Sequence, residues 1–445
     1  MGLATFKGGV HPYEGKELSE HKPVQILMPK GDLVFPMSQG IGAPANPLVK
    51  KGDRVLAGQI IGEAGGFISA NVICSVSGTV KAVEPRRVAS GGMVNSVVVE
   101  NDGQYEAVEG MGADRDPATL SKQEIRDIVK AAGIVGMGGA GFPTNVKLSP
   151  KNEDAIEYIL INGAECEPYL TSDYRCMMED PEKIIGGLKV VLQLFDKAKG
   201  VIGIENNKPE AIKKLKELVK DEPRIEVCEL LTKYPQGGER SLIYAVTGRS
   251  VNSSMLPADA GCIVDNIGTV IAIYDAVCKT TPLIERVFTV TGDAIADPRN
   301  FRIKIGTNTQ ELIEAAGGFK SEPEKDISGG PMMGFAMFDL DVPVIKTNGS
   351  VLCMTKDQVA ASVETPCIRC GKCVSACPSH IVPVMMMKAA LKGDCDTFEK
   401  LNGMECMECG SCTFVCPAKR PLTQAFKEMR KTVAANRRKK AQGGK

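Results

Sequence analysis

Two runs of four cysteines near the C-terminal end constrain this chain more than any other feature. Cys367, Cys370, Cys373 and Cys377 are followed by Pro378, and Cys406, Cys409, Cys412 and Cys416 by Pro417. Each run reads C-x2-C-x2-C-x3-C-P. In that spacing three close thiolates wrap three corners of a four-iron, four-sulfur cube, and the fourth thiolate belongs to the other cube. The spacing therefore assigns Cys367, Cys370, Cys373 and Cys416 to one 4Fe-4S cluster, and Cys406, Cys409, Cys412 and Cys377 to a second. Zinc is the competing occupant, but it usually draws four thiolates from two well-separated pairs. The remaining cysteines (Cys74, Cys166, Cys176, Cys228, Cys262, Cys278, Cys353 and Cys395) are scattered, and their default is a small buried hydrophobe.

The rest of the composition mostly excludes. The chain has 445 residues, enough for about three domains at roughly 150 residues each. Lys+Arg and Asp+Glu are 54 each, and a zero net charge argues against a nucleic-acid footprint. A long uncharged stretch, 64–80, is broken by glycines, serines and an asparagine, so no membrane-spanning helix is expected. The opening MGLATFKGG has no apolar core or cleavage site, so it does not read as a secretory signal. A soluble or peripheral cytosolic protein is expected, in which cysteines serve metal or redox chemistry rather than disulfides.

Ahead of the cysteine runs the texture changes along the chain. In the first hundred residues 23–27, 55–61, 68–76, 78–83 and 94–100 read as short strands between Gly and Pro. NPLVKKGDRVLAGQIIGE followed by SVSGTVKAV resembles a biotinyl/lipoyl-type barrel sandwich. No lysine lies between Lys51 and Lys81, so the swinging-arm lysine of carrier domains has no counterpart, and the domain reads as structural or docking. From Leu120 to about Lys279 helical and strand patterns alternate, which predicts an α/β layered domain. Residues 284 to about 345 form a smaller unit with two strands, a capped helix and a glycine loop, GGPMMG. The last twenty residues hold one acidic residue against eight basic ones. They read as a frayed tail suited to an anionic surface or acidic partner.

The candidate ligand site lies in the α/β stretch. GMGGAGFPTNVK carries Gly136, Gly138, Gly139 and Gly141, a formal G-x-G-x-x-G, but a helix rather than a strand precedes it, so a standard dinucleotide turn is not expected. A glycine-lined loop still offers bare N–H groups to a phosphate or a flat ring. Lys147 adds a cation and Phe142 a stacking face; a structural turn with a core phenylalanine is the plain alternative. INGAECEPYLTSDYR places Asn162, Glu165 and Glu167 at the C-terminal end of an apolar strand, where open α/β sheets bind ligands. The carboxylates there can accept from ribose hydroxyls or a ring N–H, or form a solvated loop. YPQGGERS brings Tyr234, Gly237, Gly238 and Glu239, with Gly-Gly opening a helix, and CIVDNIGTV brings Asp265, Asn266 and Thr269. Cys166 reads as a small spacer or as a thiol that tunes a bound ring.

In this order, GMGGAGFPTNVK, INGAECEPYLTSDYR, YPQGGERS and VDNIGT resemble the NADH-binding flavoprotein subunit of respiratory complex I. That resemblance implies that Gly136, Gly138, Lys147, Asn162, Glu165, Tyr234, Gly237, Glu239, Asp265, Asn266 and Thr269 surround FMN. It also implies that Phe142 and Glu167 line the nicotinamide cofactor. The chain departs from the pattern at Met137, where arginine is common, and at Ala164, where aspartate is. FKGGVHP, the barrel sandwich, the flavin domain, the β-grasp segment and the two cysteine runs together resemble the RnfC family, over residues 1 to about 425. The implied fold class is multidomain, α/β and α+β. Its parts are a barrel-sandwich hybrid domain (1–115), an FMN/NADH-binding α/β domain (116–282), a soluble-ligand-binding β-grasp (283–346), a helical two-4Fe-4S ferredoxin-like domain (347–425) and a basic tail (426–445).

The activity implied is electron exchange between NAD(H) and ferredoxin through FMN and two 4Fe-4S clusters. Flavin is the usual converter between two-electron hydride chemistry and one-electron cluster chemistry. The expected partners are the membrane and peripheral subunits of an Rnf complex, with ferredoxin reached through one of them. Those subunits would translocate Na+ or H+, with this chain peripheral at the cytoplasmic face of the membrane. A soluble cobalamin reductase shares the flavin pocket and clusters, but the barrel sandwich ahead of the glycine loop favours the Rnf reading. A ferredoxin-like carrier with an inactive nucleotide pocket is the third reading, supported by Met137 and Ala164 alone.

Overall fold

A computed structural model describes residues 2–443. The expected sandwich forms from two sheets. One holds Leu33–Pro36, Met93–Asn101, Gly78–Arg87 and Arg54–Val55, and the other Asn46–Pro47, Ile60–Glu63 and Val72–Ile73. Leu33, Phe35, Val55, Ile61, Val97 and Val99 fill the space between them. The strand expected over 55–61 is two strands in different sheets, because Gly58 (φ +88°) turns the chain between them, a conformation that costs glycine little. Only Val72–Ile73 of the strand expected over 68–76 joins a ladder.

Residues 4–19 do not belong to the sandwich sheets. They lie across the α/β domain and the cysteine-rich domain: Ala4 bridges to Leu230, Val10 to Tyr234, and the Gly9 N–H donates to the Ala376 carbonyl at 2.9 Å.

The α/β domain is built on a parallel sheet ordered Ile225–Leu230, Lys199–Glu205, Tyr158–Gly163, Cys262–Asn266. Alternate residues of each strand enter two cores. Ile159, Ile161, Ile202 and Ile204 face one, and Leu160, Val201 and Val264 the other, as a sheet covered on both faces requires. Helix Lys122–Ala131 starts at Ser121 in a full capping box with Glu124 and ends ahead of Gly133, as its pattern predicts. Three helices are not anticipated by the sequence pattern, Thr144–Lys147, Ser172–Glu179 and Ile267–Cys278. The third is apolar on nearly every face and lies so close to helix Pro181–Gln193 that a Cβ on Gly187 would stand 2.0 Å from the Val270 carbonyl. From Tyr158–Gly163 the chain adds two strands on one side, then crosses to place Cys262–Asn266 on the other. That reversal is the switch point at which such sheets bind ligands.

The β-grasp unit is one six-stranded sheet ordered Gln25–Leu27, Arg299–Lys304, Glu285–Thr291, Ser350–Met354, Lys325–Ser328, Phe335–Met337. Its inner strand Ser350–Met354 lies past the expected boundary at 346, and its edge strand Gln25–Leu27 comes from the first hundred residues. The tail is not frayed: helix Leu422–Gly443 runs through it, with Phe426, Met429 and Val433 buried against Met386 and Phe398. Ion pairs from Arg430 to Glu408 and Arg437 to Glu399 hold its polar side. Lys445, the last of the tail's basic residues, lies outside the described residues.

Candidate functional site

The glycine loop closes as a hairpin, with the Gly136 N–H donating to the Phe142 carbonyl at 2.9 Å and Val135 bridging to Pro143. Gly138, Gly139 and Ala140 are exposed at its tip, while Phe142 is half-buried. A Cβ on Gly138 would meet the Asn266 side chain at 3.0 Å, and one on Gly136 the Lys147 ammonium at 3.2 Å. Gly139 has open space over it. Met137 points inward into the core beside Gly268, and its N–H donates to Thr269 Oγ1 at 3.0 Å. The residue standing where arginine is common is therefore a core anchor of the loop.

Facing the loop, the ends of the two switch-point strands bring their polar residues together. Lys147 Nζ donates to the Val264 carbonyl at 2.9 Å and pairs with Asp265 Oδ1 at 3.3 Å. Asp265 is fully buried, its Oδ2 has no partner among the described residues, and burial raises its carboxyl above the ordinary range. Glu239 opens the helix Glu239–Thr247 and is open to solvent, yet its carboxyl is raised by desolvation, as in a concave cleft beside Lys147 and Asp265. Asn162 Nδ2 donates to the Gly237 carbonyl at 2.8 Å, and Asn266 Nδ2 to Asp173 Oδ2 at 2.7 Å. A Cβ on Gly237 would crowd Asn162, Cys166 and Ala164 at 3.3–3.4 Å. Gly136, Gly138, Lys147, Asn162, Gly237, Glu239, Asp265, Asn266 and Thr269 thus cluster at the switch-point strand ends, with Gly139 exposed at the loop tip beside them. An unpartnered buried carboxylate oxygen and bare loop amides are the acceptor and donors that a flavin's ring N–H and phosphate require.

Three of the expected residues face elsewhere. Glu165, in the left-handed region at φ +48°, accepts from the Asp173 and Tyr174 amides at 2.6 and 3.2 Å and caps helix Ser172–Glu179. Glu167 accepts from the Met333 and Met332 amides of the GGPMMG loop at 2.7 and 3.2 Å. Burial raises both carboxyls to about 7. Tyr234 is fully buried, and its hydroxyl donates to the Cys409 carbonyl at 2.6 Å. Cys166 Sγ accepts from the Gly237 N–H at 3.2 Å, and burial pushes its thiol far up, which suits packing rather than reactivity.

Sequence reasoning missed a charged layer beneath the cleft. Lys16, buried, donates to the carbonyls of Glu165, Glu167 and Leu170 at 2.8, 3.1 and 2.7 Å. Lys208 pairs with Glu205 at 3.7 Å, both almost wholly buried, and donates to the Ala164 carbonyl at 2.7 Å. Lys16 arrives from the far end of the chain, so no local pattern marks it.

The cysteine runs share one backbone, offset by 39 residues. Arg369 and Glu408 (φ +58° and +56°), Gly371 and Gly410 (+77° and +83°), and His380 and Lys419 (+53° and +51°) pair off. Cys367 and Cys406 each accept the N–H two residues on at 3.4 Å. Cys377, Cys406, Cys409 and Cys412 line one cavity. Four thiols around one cavity are the arrangement the corner ligands of a four-iron cube require. Burial raises the Cys406 and Cys412 thiols to about 11 and about 12, so cluster assembly there must release protons. In the other set Cys373 neighbours Cys416 closely enough for their charges to interact, while Cys367 and Cys370 are exposed. The buried set abuts the cleft. Tyr234 bonds Cys409, and Arg240 pairs with Glu405 at 3.0 Å. A Cβ on Gly238 would stand 3.0 Å from Met407.

Residues 4–104 match the RnfC barrel sandwich hybrid domain, 129–275 the Nuo51 FMN-binding domain, 287–336 the SLBB domain and 366–419 the 4Fe-4S dicluster domain. The chain is 46% identical over 445 residues to a subunit of the proton-translocating ferredoxin:NAD(+) oxidoreductase complex of Clostridium ljungdahlii, covering 99% of this chain and 96% of that one. It is 46% identical over 444 residues to the counterpart in the Na(+)-translocating complex of Acetobacterium woodii, covering 98% of each. Against the counterpart in the ion-translocating oxidoreductase complex of Pseudomonas aeruginosa, identity is 39% over 98% of this chain and 57% of that longer one. A chain of the NAD+-reducing NiFe hydrogenase in the H2-reduced state superposes with a TM-score of 0.50 at 19% identity, over 71% of this chain and 61% of that one. That likeness is one of fold.

Proposed function

The chain belongs to the RnfC family of subunits of ion-translocating ferredoxin:NAD+ oxidoreductase complexes, and from that premise we propose that its cleft binds NAD(H) against FMN and passes electrons first to the buried cysteine set, then to the exposed one. It is an electron-transfer subunit with an FMN domain and two 4Fe-4S clusters, working with the other subunits of its complex, NAD+ and ferredoxin. Bound in the cleft, FMN supplies the conversion between hydride transfer and single-electron transfer.

The chain's own residues divide the remaining work. The Gly138 and Gly139 amides offer donors to the phosphate, with Lys147 close behind them. Lys147 also offsets the charge of buried Asp265, whose free Oδ2 is left to accept from the flavin ring. Glu239 stands at the open side of the site beside Lys147 and Asp265, and Asn162, Asn266 and Thr269 fix the backbone around it. Half-buried Phe142 would offer its ring to the nicotinamide. No described helix is long and apolar enough to cross a membrane, and ion translocation falls to partner subunits, with this chain at their cytoplasmic face.

The observation that carries the order of transfer is the Tyr234–Cys409 hydrogen bond, which joins a cleft segment directly to the buried cysteine loop. An anaerobic NADH titration of the reconstituted chain tests the reading. Flavin bleaching followed by growth of both cluster EPR signals is expected. FMN and clusters that are present but not reduced by NADH would favour a carrier with an inactive nucleotide pocket.

A further inference from the structure

The GGPMMG loop of the β-grasp, residues 329–334, has no part in the reading above, yet it touches both ends of the electron route. Glu167, four residues past the strand Tyr158–Gly163, enters it. Oε1 accepts from the Met333 N–H at 2.7 Å and Oε2 from the Met332 N–H at 3.2 Å. The loop is closed by the Gly334 N–H donating to the Gly330 carbonyl at 2.9 Å. It has no room to spare: a Cβ on Gly330 would stand 2.2 Å from Glu167 Oε2, and one on Gly334 would stand 2.4 Å from the Gly330 carbonyl. On its other side, a Cβ on Gly410 would stand 2.8 Å from the Met332 carbonyl. The Met332 side chain packs into a small apolar junction with Tyr234, Cys166, Cys409 and Val415.

The loop therefore sits between the strand end that builds the cleft and the backbone that flanks Cys409. Two backbone N–H donors converge on the one carboxyl group, and a cradle that excludes even a methyl group fixes where it lies. We propose that this loop, clamped by Glu167, is a positioning device that holds the buried cysteine loop at its working separation from the nucleotide cleft. Glu167 and Met332 are positioning residues for electron passage, not groups that touch the reacting atoms. The inference rests on the order of transfer proposed above. It adds that the β-grasp unit sets the rate of the first cluster step.

The test uses the full chain carrying FMN and both clusters, as wild type and as Gly330→Ala, whose added methyl displaces the clamp. Hydrogen exchange at the Met332 and Met333 amides is read first and should lose protection in the variant. Stopped-flow reduction by NADH is then followed at flavin and cluster wavelengths. Flavin bleaching should keep the wild-type rate while cluster reduction slows several-fold. Wild-type cluster reduction in a variant with lost protection overturns the proposal, and so does equal slowing of both phases. If Gly330→Ala does not take up its cofactors, Met332→Ala removes the contact with the junction while leaving the loop amides in place. It should slow the cluster phase alone, and an unchanged cluster phase overturns the proposal. A wild-type chain whose flavin NADH does not bleach refutes the nucleotide reading instead, which separates the two failures.

Discussion

The two cysteine runs are near copies in backbone and opposites in surroundings. Both place positive-φ residues at matching positions, open a one-turn helix after a glycine and fold the first thiolate over the N–H two residues on. Around Cys409 and Cys412 the chain then adds Tyr234, Met332, Val10 and helix Leu422–Gly443. Around Cys367 and Cys370 it adds solvent, with Ile368 at 67% and Val363 at 79% exposure. The spacing of ligands thus sets the local turn, while distant segments set burial, neighbours and place in the route. In iron–sulfur proteins, hydrogen bonding and exposure tune the cluster rather than ligand identity alone.

The strongest way to break this contrast is to remove one ligand from each side. Cys409→Ser should abolish NADH-driven reduction of the exposed set while the flavin still bleaches. Cys370→Ser should leave the buried set reducible by NADH. EPR spin counts after NADH and after dithionite separate the two, and the reverse pattern would invert the proposed order of transfer. A gentler comparison is iron removal. A chelator added to the anaerobic holoprotein should take iron from the exposed set first, so that about half the iron leaves before the buried-set signal declines, in line with solvent access to the ligands. Simultaneous loss would mean that the cladding around Cys409 does not protect it.

Legibility in the sequence divides along the same line. The cysteine runs, helix Lys122–Ala131 with its capping box and the buried strand Tyr158–Gly163 are written in local spacing and pattern, and the structure has them there. Asn162, Glu239, Asp265, Asn266 and Thr269 are legible because each lies at a strand end or helix start, and Gly136, Gly138 and Gly139 because they cluster in one loop. Lys16, Met332 and the strand Ser350–Met354 are not, since each acts on residues far off in the chain. Glu165 and Glu167 look like ligand acceptors because they follow a strand. Their oxygens are in fact taken by backbone amides, of a helix start in one case and of a distant loop in the other. The charge of the tail suggests fraying, but its apolar Phe426, Met429 and Val433 decide that it packs as a helix.

A smaller effect sharpens the buried side. Tyr234→Phe keeps the ring in its cluster but deletes the donor to the Cys409 carbonyl. A buried acceptor left unpaired costs about 1–3 kcal/mol, so thermal unfolding of the holoprotein should shift down by a few degrees. An unchanged midpoint would mean that water reaches Cys409, which would weaken the contrast between the two runs.

The smallest expected effect concerns protons. Burial among the β-grasp loop and strand end raises Glu167 from 4.5 to about 7, while its two amide bonds pull the other way. Between those values the folded chain binds more protons at this site than the unfolded chain does. The site's contribution to stability is therefore present below about pH 4.5 and is lost as pH rises through 7. A glutamine side chain here is neutral at every pH and keeps one acceptor for the loop amides. The variant should be the less stable chain in acid, where the native carboxyl is already protonated. Relative to wild type, Glu167→Gln should then gain stability as pH rises from about 4.5 to about 7. Paired denaturant melts at several pH values measure that difference directly. A difference that stays flat with pH would place Glu167 in solvent contact, opening the clamp on the buried side and making the two halves of the iron–sulfur domain more alike than their burial indicates.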